Sequence, residues 1–266
     1  MTRTFLALLH FDGRDFIGWQ RQAAGRSVQG EVEQALGRLA AQPVAAVGAG
    51  RTDAGVHAEG LGVSFIMPAR WDAHSLRRGL NALLPADCWV SEVHEMAAEF
   101  HARKSALTRS YRYLVGTDDA SASPFRRPFE WALQRPLDFA LLQGAAGVIR
   151  GEHAFEAFSV RGQEKPHHRC RLIQAEWLPR NGLGVEFRVE ADRFLHHMVR
   201  MLVGTMVDIA LRRRAPEDMR RLLSGRDNQE TSAPAPPEGL YFVRATYPAS
   251  AYRAPAKELH DTLRGE

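Results

Sequence analysis

Asp53 and Arg51 stand two residues apart in the stretch Gly48-Ala-Gly-Arg-Thr-Asp-Ala-Gly-Val-His-Ala-Glu-Gly60, which holds four glycines in thirteen residues. Glycine lets a backbone turn tightly and take positive φ, so the polar side chains between these glycines can face a cleft. A carboxylate held there is a candidate nucleophile or base, and Arg51 folded against it would favour its ionised form. Taken alone, an Arg-Asp pair is more often a weak tie across a surface turn. Arg200 strengthens the chemical reading. It sits within Met198-Val-Arg-Met-Leu-Val203, a segment apolar nearly all round. A guanidinium buried in such a helix is costly unless paired, and Asp53 is its expected partner. Tyr111 and Tyr113 alternate as on a strand, which suits a core aromatic as well as a stacking platform. Arg14, Trp19, Arg21 and Arg26 share one loop, a mixture of guanidinium groups and indole suited to phosphate contact and base stacking. A core position for Trp19 is an equal alternative.

No metal site and no cofactor are expected. His196 and His197 are adjacent, and successive positions on a helix point about 100° apart, poorly placed to share one ion. His57, His101, His167 and His168 show no ligand spacing. The glycine-rich loop lacks the Gly-Lys-Ser/Thr ending of a triphosphate site.

The elements that must position these groups follow from periodicity and punctuation. Thr4 to Phe11 reads as a buried strand, Ser27 as the cap of a helix carrying Val28, Val32, Ala35, Leu36 and Leu39, and Val44 to Val47 as a short strand. Leu61 to Met67 is a strand, Asp72 caps a helix with Leu76, Leu80, Leu83 and Leu84 inward, and Cys88 to Val93 is a strand. That order is a ferredoxin-like split βαβ unit. A second series follows, with strands at Thr108 to Val115, Leu172 to Leu178, Val185 to Ala191 and Leu240 to Tyr247. Its helices run from Asp138 to about Val148 and from near Phe194. The expected fold is α+β, two such units sharing a mostly antiparallel sheet with the cleft between them. The units are 1–104, carrying the Asp53 loop, and 105–248, with a polar, poorly ordered tail at 249–266. Residues 116–136 and 225–239 read as mobile loops.

The chain has 266 residues, 45% hydrophobic and 25% charged, ordinary values for a globular protein, and a net charge of +4. A pI near 9.4 is compatible with a polyanionic partner. Of 35 Lys and Arg, only Lys104, Lys165 and Lys257 are lysine. Arginine suits bidentate phosphate contact, though GC-rich codons give the same bias. Cys88 and Cys170 show no paired spacing, and no apolar run approaches a membrane span or a signal segment, so a reduced, soluble, cytoplasmic protein is expected.

The Asp53 stretch, Gly18-Trp-Gln-Arg-Gln22, Ser27-Val-Gln-Gly30, Phe100-His-Ala-Arg103, Tyr111-Arg-Tyr113, Phe194-Leu-His-His-Met-Val-Arg200 and Glu238-Gly-Leu-Tyr-Phe242 together resemble the tRNA pseudouridine synthase A (TruA) family, over about Thr4 to Pro248. The resemblance implies isomerisation of uridine to pseudouridine in the anticodon stem-loop of tRNA, at about positions 38 to 40, by a homodimer. It implies Asp53 as the carboxylate acting at the ribose, Arg200 as its partner, and Tyr111 and Leu240 against the target base. Arg51 would fill the space of the flipped base or hold its phosphate, and Arg103 would contact RNA. Lys104 replaces the usual aromatic after Phe-His-Ala-Arg, and His167-His-Arg-Cys170 replaces a Thr-containing stretch. Both departures are expected to lie away from the Asp53 loop and to affect substrate contacts.

Overall fold

The structure is a computed structural model that describes residues 1–160 and 168–253. Thr2–Phe11 forms β1, an apolar strand in which Thr4 to Ala7, Leu9 and Phe11 are buried. α1 spans Val28–Ala40; its Ser27 cap accepts a hydrogen bond from the Gly30 amide, and Val28, Val32, Ala35 and Leu36 face inward. β2 is only Val47–Gly48 and β3 is His57–Pro68. The strand expected at Val44 to Val47 shrinks because side chains of α1 take the place of a neighbouring strand. Glu33 accepts from the Ala46 amide at 3.1 Å and Gln29 donates to the Ala46 carbonyl at 3.1 Å. α2 (Ala73–Leu83) is capped by Asp72, and β4 is Cys88–Met96.

The second half repeats the order. β5 is Thr108–Gly116, β6 Trp131–Ala132, α3 Phe139–Val148 with its Asp138 cap, β7 Gly151–Ala154, β8 Arg169–Pro179 and β9 Gly184–Ala191. α4 (Met198–Ala210), α5 (Asp218–Leu223) and β10 (Leu240–Thr246) complete it. All ten strands join one sheet, whose main path runs β4-β1-β3-β10-β5-β9-β8-β7. Each half keeps the ferredoxin-like order, with β2 vestigial in the first. The halves meet where β10 lies parallel to β3 and antiparallel to β5. Two apolar cores form, one around α1 and α2, the other around α3 and α4. None of the described helices is long and apolar enough to cross a membrane.

Three local expectations are corrected. α4 begins at Met198 rather than near Phe194, because His197 takes φ 62°, a left-handed turn that a right-handed helix cannot continue. Residues 116–136 are anchored, with Ser121 and Glu130 buried and Arg180 bonded to Glu130 at 2.6 Å. In 225–239, Thr231, Ser232 and Ala235 are buried against α4, and Ser232 donates its amide to Thr205 at 3.3 Å. The start of the expected tail packs on the first half: the Ala97 amide donates to Ala251 at 2.8 Å and Arg253 pairs with Glu95 at 2.9 Å. Residues 254–266, Lys165 and His167 lie outside the described residues.

Trp19 is a core residue, 3% exposed, so the stacking role given to it is also corrected. Its indole lies under Gly48, where any Cβ would come within 2.8 Å of the ring. Its amide donates to the Thr52 carbonyl at 3.1 Å, and Gly18 bridges Asp53. Trp19 thus carries the Asp53 loop from beneath. Trp19→Ala should lose about 3–5 kcal/mol of stability in urea unfolding. A loss below about 1 kcal/mol would show that the loop does not lean on the indole.

His57 is buried between halves. Gly13 donates its amide to Nδ1 at 3.2 Å, Nε2 faces the Pro128 carbonyl at 3.2 Å, and the ring stacks on Tyr241 at 4.8 Å. This arrangement needs the neutral ring, and burial pushes its pKa below the usual histidine value, with nearby Asp12 opposing. Because the folded value is depressed, the unfolded chain takes up the proton first. Stability from this ring is complete above about pH 6.5 and lost as pH falls through the folded value. Urea midpoints should therefore fall below about pH 6.5 in the native sequence and less steeply in His57→Gln; equal slopes would refute the assignment.

Candidate active site

A cleft of about 930 Å³ opens between the halves, lined by the Asp53 loop, by Arg103 and Lys104, by Arg109 and Tyr111 of β5, and by Arg193 to His197 ahead of α4. A narrow recess continues from it past Tyr111 and Phe194 to Arg200 and Leu240. Asp53 sits at the junction, its side chain 19% exposed.

Arg200 reaches it. Its Nη1 donates to Asp53 Oδ2 at 3.0 Å across 147 positions of sequence, and its Nε donates to the Ala235 carbonyl at 2.7 Å. Ala235 returns its amide to the Arg200 carbonyl at 2.9 Å. The guanidinium is therefore fixed at two of its nitrogens before any substrate arrives, and its aim fixes the carboxylate. The expectation that a buried arginine in an apolar helix must find Asp53 describes this geometry.

Arg51 does not fold against Asp53. It is exposed on the cleft wall, and among the described residues the carboxylate is held instead by Arg200 and by two imidazoles. His196 Nε2 lies 3.3 Å from Oδ1 and His197 Nε2 lies 3.2 Å from Oδ2. The helical spacing expected to keep this pair off one ion does not apply, because α4 begins at Met198 and neither histidine is on the helix. The left-handed turn at His197, at a cost of about 1–2 kcal/mol, brings successive rings onto one carboxylate. Asp53, His196 and His197 offer three ligand atoms within 4.8 Å of one another, a grouping able to hold a metal ion. Burial lowers the His197 pKa, with Asp53 pulling it back up.

Tyr111 stands edge-on to Phe194 at 5.0 Å and to Phe242 at 5.1 Å. Gly50 passes so close that a Cβ there would sit 3.4 Å from the phenol oxygen and 3.3 Å from Phe242. Burial first, and the Asp53 charge second, raise the phenol well above its usual range. It therefore stays protonated, a donor rather than a base. Tyr113, two residues on, is wholly buried and donates to the Pro236 carbonyl at 2.7 Å.

Among the described residues that line the cleft, Asp53 is the only carboxylate, against Arg51, Arg103, Lys104, Arg109 and Arg193. Such a lining suits a polyanion. Lys104 thus belongs to the wall of the Asp53 cleft, contrary to its expected distance from the loop. Arg109 joins them as a cleft residue, and alternation back from Tyr111 along β5 puts it on the same strand face. Its guanidinium donates to the carbonyls of Ala106 at 3.0 Å and Asp192 at 2.8 Å, and also to Arg103. Of the proposed RNA contacts, Arg103 is in the cleft, but Arg14, Arg21 and Arg26 are not among its lining. Arg14 pairs with Asp12 and covers Phe129; Arg21 is exposed, 3.4 Å from Glu33. Arg26 is corrected to a structural residue, forked onto Asp87, bonded to Glu31 and stacked on Phe16 at 4.2 Å.

The sequence model of a tRNA pseudouridine synthase family matches residues 7–103 and 145–248. A tRNA pseudouridine synthase A of Moorella thermoacetica is 40% identical over 241 residues, covering 90% of this chain and 97% of that protein. The protein of the same name from Chlorobium limicola is 38% identical over 240 residues, covering 90% and 97%. That from Xanthomonas axonopodis pv. citri is 39% identical over 244 residues, covering 91% and 94%. With similarity of this extent running through both halves and both walls of the cleft, the chain belongs to the tRNA pseudouridine synthase family.

Proposed function

We propose that this isomerase converts uridine to pseudouridine in the anticodon arm of tRNA, at about positions 38 to 40, with Asp53 acting at the ribose. The observation that carries the reading is one carboxylate, aimed by Arg200, at the mouth of a recess inside a cationic cleft. Pseudouridine formation breaks the bond from N1 to C1′, turns the uracil and rejoins it through C5, with no atom gained or lost. It needs an ionised carboxylate to attack C1′ or to take a proton from C2′, a pocket for the detached base, and transfer of the C5 proton.

The residues present meet those needs. Arg200 holds the carboxylate, and Leu240 and Phe194 border the recess where a base would lie. Tyr111, protonated, would lie against uracil, its hydroxyl relaying the C5 proton by giving up its own as it takes that one. The target base must leave its stack at a cost of roughly a few kcal/mol, and Arg51 on the cleft wall is free to fill the gap or hold the displaced phosphate. Arg103, Lys104 and Arg193 line the same cleft and would bind the backbone. We further take 1–104 and 105–248 as the two structural units, the setting as cytoplasmic, and the active form as a homodimer, the last on the family resemblance alone.

Tritium release from RNA labelled at uracil C5 tests the chemistry. Asp53→Asn should abolish release while holding RNA affinity within about tenfold, since one carboxylate serves chemistry rather than phosphate contact. Arg200→Met should lower kcat by on the order of 100-fold, and Arg200→Lys by less, because lysine keeps the charge and loses the planar fork. Release by Asp53→Asn would remove Asp53 from the reaction; a mutant-insensitive, RNA-binding but inactive protein would point to a non-catalytic module. Light scattering should give twice the chain mass, and a monomer active at nanomolar concentration would refute the dimer.

A further inference from the structure

Asp53, His196 and His197 bring one carboxylate and two imidazoles to a point, and the reaction proposed above uses only the carboxylate. The separations resemble a coordination shell. Zinc-class ions sit about 2.0–2.2 Å from histidine nitrogen and carboxylate oxygen, which puts tetrahedral ligand atoms roughly 3.3–3.6 Å apart. His196 Nε2 lies 3.3 Å from Oδ1 and His197 Nε2 3.2 Å from Oδ2, the two oxygens of one carboxylate, and taking one ligand atom from each residue, all three fall within 4.8 Å of one another. The side chains of His196 and His197 are 40% and 29% exposed, so an ion can enter from the cleft. Its fourth position would face the cleft and take water.

We propose that these three residues form an inhibitory site for a zinc-class divalent ion. Two imidazoles select zinc, copper or nickel chemistry over magnesium, which prefers oxygen ligands and gives up water reluctantly. The site therefore passes over the magnesium that accompanies folded tRNA. A captured ion occupies the carboxylate oxygens that the reaction needs. It also shares Asp53 with Arg200, whose Nη1 is 3.0 Å from Oδ2, and repulsion between the two cations keeps the affinity below that of a closed structural site and the capture reversible. Inhibition rests on Asp53 acting at the ribose; ion binding does not.

Cobalt(II) serves as the probe, since it takes zinc sites and absorbs visibly. Metal-stripped protein should bind one Co²⁺ per chain with the bands of a four-coordinate nitrogen-oxygen site. Zinc should bleach those bands, and excess magnesium should leave them. His196→Gln, a change at an exposed side chain that leaves the fold intact, should weaken binding by at least the roughly 10–100-fold that loss of even an outer-shell partner costs. The double change with His197→Gln should abolish the bands. Zinc should stop tritium release by the native enzyme, and EDTA should restore it. Absence of Co²⁺ bands and of calorimetric binding in the native protein overturns the site, as do bands that persist undiminished in the double variant. A bound ion with undiminished tritium release overturns the inhibition. If Asp53 were not the working carboxylate, Co²⁺ would still bind and only the inhibition would fail.

Discussion

The ion pair between Arg200 and Asp53 is the constraint from which the rest of the site follows. It joins a helix of the second half to a loop of the first, and neither group is tolerable there alone, since an unpaired buried charge costs several kcal/mol. All of α4 but Arg200 and Asp208 is buried, so the helix cannot slide to relieve a missing partner. The clasp with Ala235 then fixes the guanidinium from its other side and pulls 225–239 onto the helix. The two cores are thus locked at one angle, with the cleft along their seam.

The Asp53 loop meets this demand from below. Gly18 and Trp19 bond to it through the backbone, Gly48 lets it press against the indole with no room for a side chain, and Gly50 packs closely on Tyr111 and Phe242. A reactive carboxylate needs placement within a fraction of an ångström, and here close packing supplies it on a connection between two short-range strands. Beside the carboxylate, backbone strain is concentrated in the left-handed turn at His197, where two imidazoles close on it.

Charge in the cleft is organised around that carboxylate. Arg109 ties together backbone carbonyls from the junction of the halves and makes no ion pair with a carboxylate among the described residues, so its charge is left to the cleft. Burial lowers its pKa, yet a guanidinium remains charged throughout the physiological range. A wall of this kind attracts a polyanion while the lone acid keeps its own partner.

Local information was enough for much of this. Alternation and helical spacing mark the main strands and α1 to α3, and the caps at Ser27, Asp72 and Asp138 are where short polar side chains precede apolar helices, because these signals act within a few residues. The partnership of Arg200 with Asp53 was legible too, since burying a guanidinium among Met, Val and Leu leaves few alternatives. Composition and hydropathy could not say that Trp19 is core, that Arg51 leaves Asp53 to other partners, or that His196 and His197 converge. The insertion of β10 between β3 and β5 was equally hidden. Each of these depends on which distant segment lies alongside, and a side chain that is apolar at one end and polar at the other fits either environment until the packing decides. The sequence by itself determined the main elements and the pairing of Arg200 with Asp53, because a guanidinium set among apolar helix positions demands a partner; the tertiary structure decided what else reaches that pair, because contacts between distant segments leave no periodic trace in the chain.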